Sequence, residues 1–154
     1  MARQRIEIYP VYFLYGSEDF LIEEEIQRLL DQTLSEKERG LNLHLFSGEG
    51  HSGQEIVRAA QTLPMLSPYR FVLVSEADEI DAEEMKPLLK YIQTPSPTTC
   101  LVMVAQTLGL WKRYRREIEK VGKVIEYSRL RGKALVSWVS KRMVEKGKTL
   151  SEDA

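Results

Sequence analysis

Val11-Tyr12-Phe13-Leu14-Tyr15-Gly16-Ser17-Glu18-Asp19 is the stretch on which the reading of the fold turns. Its first five residues are apolar or aromatic without interruption and leave no face for solvent, the pattern of a strand covered on both sides and so of a parallel sheet. Gly16 ends the run. Ser17 then reads as the N-cap of a helix, Glu18 and Asp19 complement its positive end, and Ile22, Ile26, Leu29 and Leu30 recur at helical spacing to about Leu34. A strand buried on both faces requires helices on both faces.

Working outward, Leu41-Asn42-Leu43-His44-Leu45-Phe46 alternates apolar and polar, which predicts a half-covered strand toward a sheet edge with His44 facing solvent. A short helix carrying Ile56, Val57, Ala59 and Ala60 follows and stops before Pro64 and Pro68. Residues 71–74 predict a third strand, 82–91 a helix, 99–105 a fourth strand, 110–120 a helix and 123–127 a fifth strand. This strand-helix alternation predicts an α/β fold, a five-stranded mostly parallel sheet with helices on both faces. From 132 to 146, Leu135, Trp138, Val139 and Met143 form one helical stripe ended by Gly147, and Ser151-Glu152-Asp153 reads as a further helix start. The expected organisation is an α/β domain over 1–128 and, over 129–154, the truncated start of a helical domain.

The composition, 43% hydrophobic and 29% charged over 154 residues, is that of an ordinary globular chain. No run approaches the roughly 18 apolar residues of a membrane span, and Met1-Ala2-Arg3-Gln4-Arg5 opens no signal-peptide stretch, so the expected location is the cytoplasm, with no membrane partner. The single cysteine, Cys100, fits a reducing compartment. The net charge of −1 conceals a polarity: residues 1–77 carry 7 Lys+Arg against 12 Asp+Glu, and residues 78–154 carry 15 against 11. Thirteen of those basic residues lie between 110 and 148, facing four glutamates, and could meet an acidic partner.

Several motifs imitate active sites. Gly48-x-Gly50-x-x-Gly53 matches a dinucleotide fingerprint but follows an alternating strand rather than a central one, and Glu49 would repel a pyrophosphate. Gly147-Lys148-Thr149 resembles the end of a phosphate loop, yet Arg142 stands where its first glycine belongs. After the first strand, where a nucleotide loop would lie, Gly16-Ser17-Glu18-Asp19 offers two carboxylates and no lysine, and Ser75-Glu76 stands where a magnesium-binding strand would end in Asp-Glu. His44, His51 and Cys100 lack the number and spacing of zinc ligands, and two histidines support no catalytic triad. Asp78, Glu79, Asp81, Glu83 and Glu84 read as a solvated helix start. We expect no catalytic residues, no metal and no cofactor.

Leu63-Pro64-Met65-Leu66 sets three large hydrophobes between prolines. Either the loop packs inward, or proline stiffens a peptide whose side chains project toward a partner's pocket. Trp111-Lys112-Arg113-Tyr114-Arg115-Arg116 also has two readings: an aromatic and basic nucleic-acid surface, or a solvated helix anchored to the sheet by its aromatics.

Tyr12-Phe13-Leu14-Tyr15-Gly16-Ser17-Glu18-Asp19-Phe20-Leu21 resembles the opening of the clamp-loader delta subunits of bacterial DNA polymerase III. Colinear blocks continue the resemblance: Phe46-Ser47-Gly48-Glu49, Ala60-Gln61-Thr62-Leu63-Pro64-Met65, Tyr69-Arg70-Phe71-Val72-Leu73-Val74, Tyr91-Ile92-Gln93-Thr94-Pro95-Ser96-Pro97-Thr98-Thr99-Cys100-Leu101 and Gly122-Lys123-Val124-Ile125-Glu126. It implies an AAA+-like first domain without nucleotide motifs, followed by a helical lid. It also implies a clamp-binding peptide at Thr62, Leu63, Pro64, Met65 and Leu66, with Thr62 in the family's Gln position and Leu66 in that of the terminal aromatic. The partners implied are the sliding clamp (beta) and the gamma/tau and delta-prime loader subunits, within a holoenzyme whose polymerase activity lies in other subunits. Lys112, Arg113, Arg115 and Arg116 are the candidate contacts to primed DNA, weak in the first reading and primary if the chain is instead a nucleic-acid-binding module. The chain by itself is expected to be a monomer.

Overall fold

The computed structural model describes residues 7–128. Strands β1 (Val11–Tyr15), β2 (Leu43–Ser47), β3 (Arg70–Ser75), β4 (Thr99–Ala105) and β5 (Gly122–Glu126) form one sheet in the order β2-β3-β4-β1-β5, parallel throughout. Continuity of apolar residues tracks position in the sheet. β1 is buried at all five residues and β4 at six of its seven, whereas β2 and β5, the edges, are only partly covered. The helices are α1 (Asp19–Thr33), α2 (Glu36–Asn42), α3 (Gly53–Gln61), α4 (Ala82–Gln93) and α5 (Arg115–Val121), the last entered through a 3₁₀ segment, Gly109–Tyr114.

Alternate residues of each strand feed two cores. On one face Val11, Phe13, Val72, Val74, Leu101 and Met103 pack with Ile56, Met85, Leu88, Trp111 and Ile118 from the helical segments after β2. On the other, Tyr12, Leu14, Phe71, Cys100 and Val102 meet Ile22, Leu29 and Leu34. Helices therefore cover both faces, as the alternation predicts.

Three local expectations are corrected. α1 starts at Asp19 with Glu18 in the N-cap place, so Ser17 lies one residue too early to cap it; the Glu18 amide instead bonds the Tyr127 carbonyl at 2.9 Å. The second strand begins at Leu43 rather than Leu41, because residues 36–42 form a helix whose start is set by the Ser35-x-x-Glu38 box, the Ser35 amide donating to Glu38 Oε1 at 2.8 Å. Consequently Asn42 is buried while Leu41 and Leu45 are exposed. His44 is half-buried against the Arg70 guanidinium rather than facing solvent. The expectations placed on residues 129–154, including the basic stripe beyond Ser128 and the Gly147-Lys148-Thr149 turn, lie outside the described residues.

Candidate functional site

The 62–66 segment leaves α3 and turns into β3 at the N-terminal edge of the sheet, the end opposite the carboxyl edge where open α/β sheets bind small ligands. Its side chains point outward: Leu63 is 73% exposed, Met65 53% and Leu66 92%. Pro64 is half-covered and Thr62 exposed. Thr62 turns its hydroxyl back onto the Arg58 carbonyl at 2.7 Å, closing the end of α3. Leu66 has φ +55°, a left-handed conformation uncommon for a branched residue and costing on the order of 1–3 kcal/mol, so the surroundings must hold it.

Buried polar groups hold the backbone of this segment in place. Thr99 Oγ1 donates to the Ala60 carbonyl at 2.6 Å, and Arg70 Nη2 to the Leu63 carbonyl at 3.0 Å. Asn42 accepts from the Met65 amide at 2.7 Å and donates to the Met65 carbonyl at 2.9 Å. Ser67 Oγ then donates to the Tyr69 carbonyl at 2.9 Å. Arg70 is itself buried, which lowers its pKa, and its Nη1 lies against His44 Nε2. Burial, and then the adjacent guanidinium, hold the His44 imidazole below its ordinary range, so it is neutral and accepts from Arg70. The result is an apolar patch on a fixed backbone: hydrophobes outside, polar clasps inside.

Neither the clasps nor the exposed residues Leu41 and Leu45 are among the sequence-predicted site residues. A signal for Asn42 was present in Ser35-x-x-Glu38, which starts a helix that runs through it. None marked Arg70, whose partners are 7 and 26 residues away.

The carboxyl edge of the sheet is built differently. Gly16 has φ +134°, and a Cβ there would collide with the Tyr127 carbonyl, so the turn after β1 is drawn onto the residue that follows β5. Two clefts open at this edge: one is lined by Asp19, Glu23, Glu76, Asp78 and Glu79 with no basic residue, the wrong sign for a phosphate, and the other, containing Gly16 and Ser17 themselves, sets Lys112 and Arg115 against Glu126. The glycine pattern after β2 serves packing. A Cβ on Gly48 would meet the Glu76 carbonyl; the Gly48 amide bonds Ser75 O at 2.8 Å and the Gly53 amide bonds Glu84 Oε1 at 2.8 Å. Asp81 caps α4 by accepting from the Glu84 amide at 2.9 Å.

His44, His51 and Cys100 do not come together. His51 bonds Ser47 and stacks edge-on to Phe46, while Cys100 is buried in the opposite core, where desolvation pushes its thiol up. In the basic segment, Trp111 is buried against Phe13 with ring centroids 5.8 Å apart, and its Nε1 donates to the Ala77 carbonyl at 2.9 Å. Tyr114 packs on the same core. Trp111 is thus taken up in anchoring the segment to the sheet, with Tyr114 half-buried beside it. Lys112, Arg113 and Arg116 remain exposed, and Arg115 is tied to Glu119 at 3.3 Å and Tyr15 OH at 3.4 Å. Among the described residues no helix is long and apolar enough to cross a membrane.

The family model described as DNA polymerase III, delta subunit, matches residues 12–127. The chain is 25% identical to the DNA polymerase III subunit delta of Bacillus subtilis (strain 168), an alignment covering 96% of this chain and 46% of that protein. Among solved structures it is similar to the Bacillus subtilis DNA clamp loader delta protein (YqeN), with TM-score 0.83 and 25% identity over 94% of this chain and 45% of that one. It shares its fold with a DNA polymerase III gamma subunit-related protein from Thermotoga maritima, at TM-score 0.55 and 13% identity, covering 85% of this chain and 44% of the other. The chain spans about half the length of the relatives it matches.

Proposed function

Because the chain belongs to the DNA polymerase III, delta subunit family, we propose that it serves as a clamp-loader subunit in DNA replication and docks on the sliding clamp through the loop of Thr62, Leu63, Pro64, Met65 and Leu66. The observation that carries this reading is the outward presentation of Leu63, Met65 and Leu66 on a backbone pinned from beneath. Side chains left in water by folding are available to a partner's apolar pocket, and burying each one fully is worth about 1.5–3 kcal/mol before ordering costs. A pinned backbone keeps those costs low, so two or three anchors make a hot spot.

The mechanism is mechanical. The loop seats on one clamp protomer, and the sheet behind it presses beside the ring interface. The ring opens to the extent that this subunit binds the open form more tightly than the closed one. ATP dependence comes from partner loader subunits of the gamma/tau type, which act with delta-prime to control access to the loop, because the turn after β1, Gly16-Ser17-Glu18-Asp19, carries no phosphate-loop lysine and opens its helix on two acids. On this reading the chain is an accessory subunit, and nucleotidyl transfer belongs to other members of the holoenzyme. Lys112, Arg113, Arg115 and Arg116 add at most weak, salt-dependent contact with primed DNA. The test is clamp capture by the wild-type chain and by the Met65→Ala, Leu66→Ala double variant, with the melting temperature measured in parallel.

A further inference from the structure

We infer that Asn42, which presents nothing to a partner, is a positioning residue that sets the docking loop's shape and hence its affinity, acting through the backbone of Met65. The inference rests on the clamp-docking reading above. Asn42 is fully buried at the C-terminal end of α2, and its carboxamide makes three bonds. Oδ1 accepts from the Met65 amide at 2.7 Å, and Nδ2 donates to the Met65 carbonyl at 2.9 Å and to the Glu38 carbonyl at 2.9 Å. The two carbonyls both need a donor, which fixes which end of the amide is nitrogen. The reciprocal pair with Met65 is what a neighbouring strand would supply, delivered by one side chain 23 residues away in sequence.

The residue type follows from this geometry. A carboxamide sets a donor and an acceptor side by side; aspartate lacks the donor, and an aliphatic residue lacks both. The clasp falls at the centre of the docking segment. Pro64 has its φ fixed by its ring, Met65 is held at both backbone groups by Asn42, and Leu66 sits in the left-handed region. Three successive residues are thus restricted, and the side chains on either side of Pro64 and at Leu66 are thrown outward together. Without Asn42, Met65 could bond water instead, the loop would sample other shapes, and docking would have to order it. Ordering one residue's backbone corresponds to roughly tenfold in Kd.

The experiment uses the full-length protein with Asn42→Ala and the isosteric Asn42→Asp, titrated against the sliding clamp well below the variants' melting temperatures. A synthetic peptide of residues 61–68 serves as the unclasped reference. Both variants are expected to bind about tenfold more weakly than wild type, moving toward the peptide's affinity. The Met65 amide, on a half-exposed residue, should be protected from hydrogen exchange in wild type and lose that protection in the variants. Folded Asn42 variants that bind as tightly as wild type would overturn the inference. So would a Met65 amide that exchanges at the free-chain rate in folded wild type, an observation that needs no variant to fold. If those variants keep affinity while Met65→Ala, Leu66→Ala loses it, the Asn42 inference fails and the docking reading stands. If the double variant also binds normally, the docking reading itself has failed.

Discussion

Replacing Met65 and Leu66 together by alanine separates a surface that docks from a loop that packs. In the folded chain Leu66 is 92% exposed and Met65 53% exposed, so little of either side chain contributes to the core. A buried Leu or Met cut to Ala costs about 2–5 kcal/mol; here the expected loss of folding stability is under roughly 1 kcal/mol, nearly all of it from the covered part of Met65. Binding is affected much more. Scaling full burial of about 1.5–3 kcal/mol per side chain by the exposed fractions gives a loss of roughly 2–4 kcal/mol, or about thirtyfold to a thousandfold in Kd. The assay is calorimetric titration of purified clamp, with a thermal melt of the same samples. A melting temperature within a few degrees of wild type together with lost affinity is the expected pair of results. A destabilised domain that still binds the clamp at wild-type strength would refute the argument and move the docking surface elsewhere.

Trp111→Ala should unfold the domain more readily, by about 3–5 kcal/mol in a denaturant melt, because it empties a buried site against Phe13 and orphans the Ala77 carbonyl; a change under 1 kcal/mol would contradict the anchoring role. His44 is held below the usual histidine pKa of about 6.5, so the folded chain resists protonation that the unfolded chain accepts, and this contribution is present above that value and lost as pH falls through the lowered one. Wild type should therefore lose more thermal stability between about pH 7.5 and 5.5 than His44→Gln; equal losses would remove His44 from the account. Gly16→Ala meets both a positive φ and the Tyr127 backbone and should destabilise by at least 1–3 kcal/mol. Well below its melting temperature it should still bind clamp normally, because the change lies at the opposite edge of the sheet; impaired binding there would challenge the placement of the site.

What the residues by themselves determined is the architecture. Unbroken apolar runs at 11–15, 71–74 and 100–105, separated by helical periodicities, admit little but a parallel sheet covered on both faces, because hydrophobic pattern is local information and burial on two sides leaves no polar position. The edge placement of the second strand was legible for the same reason, although its start was misplaced by the helix at 36–42, a short element whose capping box outweighed an apparent alternation. The location proposed for the docking segment rests on the run of blocks that resemble the delta family. The direction in which Leu63, Met65 and Leu66 point was not legible. Inward and outward packing were equally compatible with Leu-Pro-Met-Leu, because the choice is made by partners distant in sequence: Asn42 holding Met65, Arg70 holding Leu63 and Thr99 holding the end of α3. Hydrogen bonds from buried side chains to a loop's backbone leave no periodic trace in the chain. Only when the sheet brings β2, β3 and β4 side by side do those three residues meet the loop, and at that point its apolar side chains have only the outward direction left.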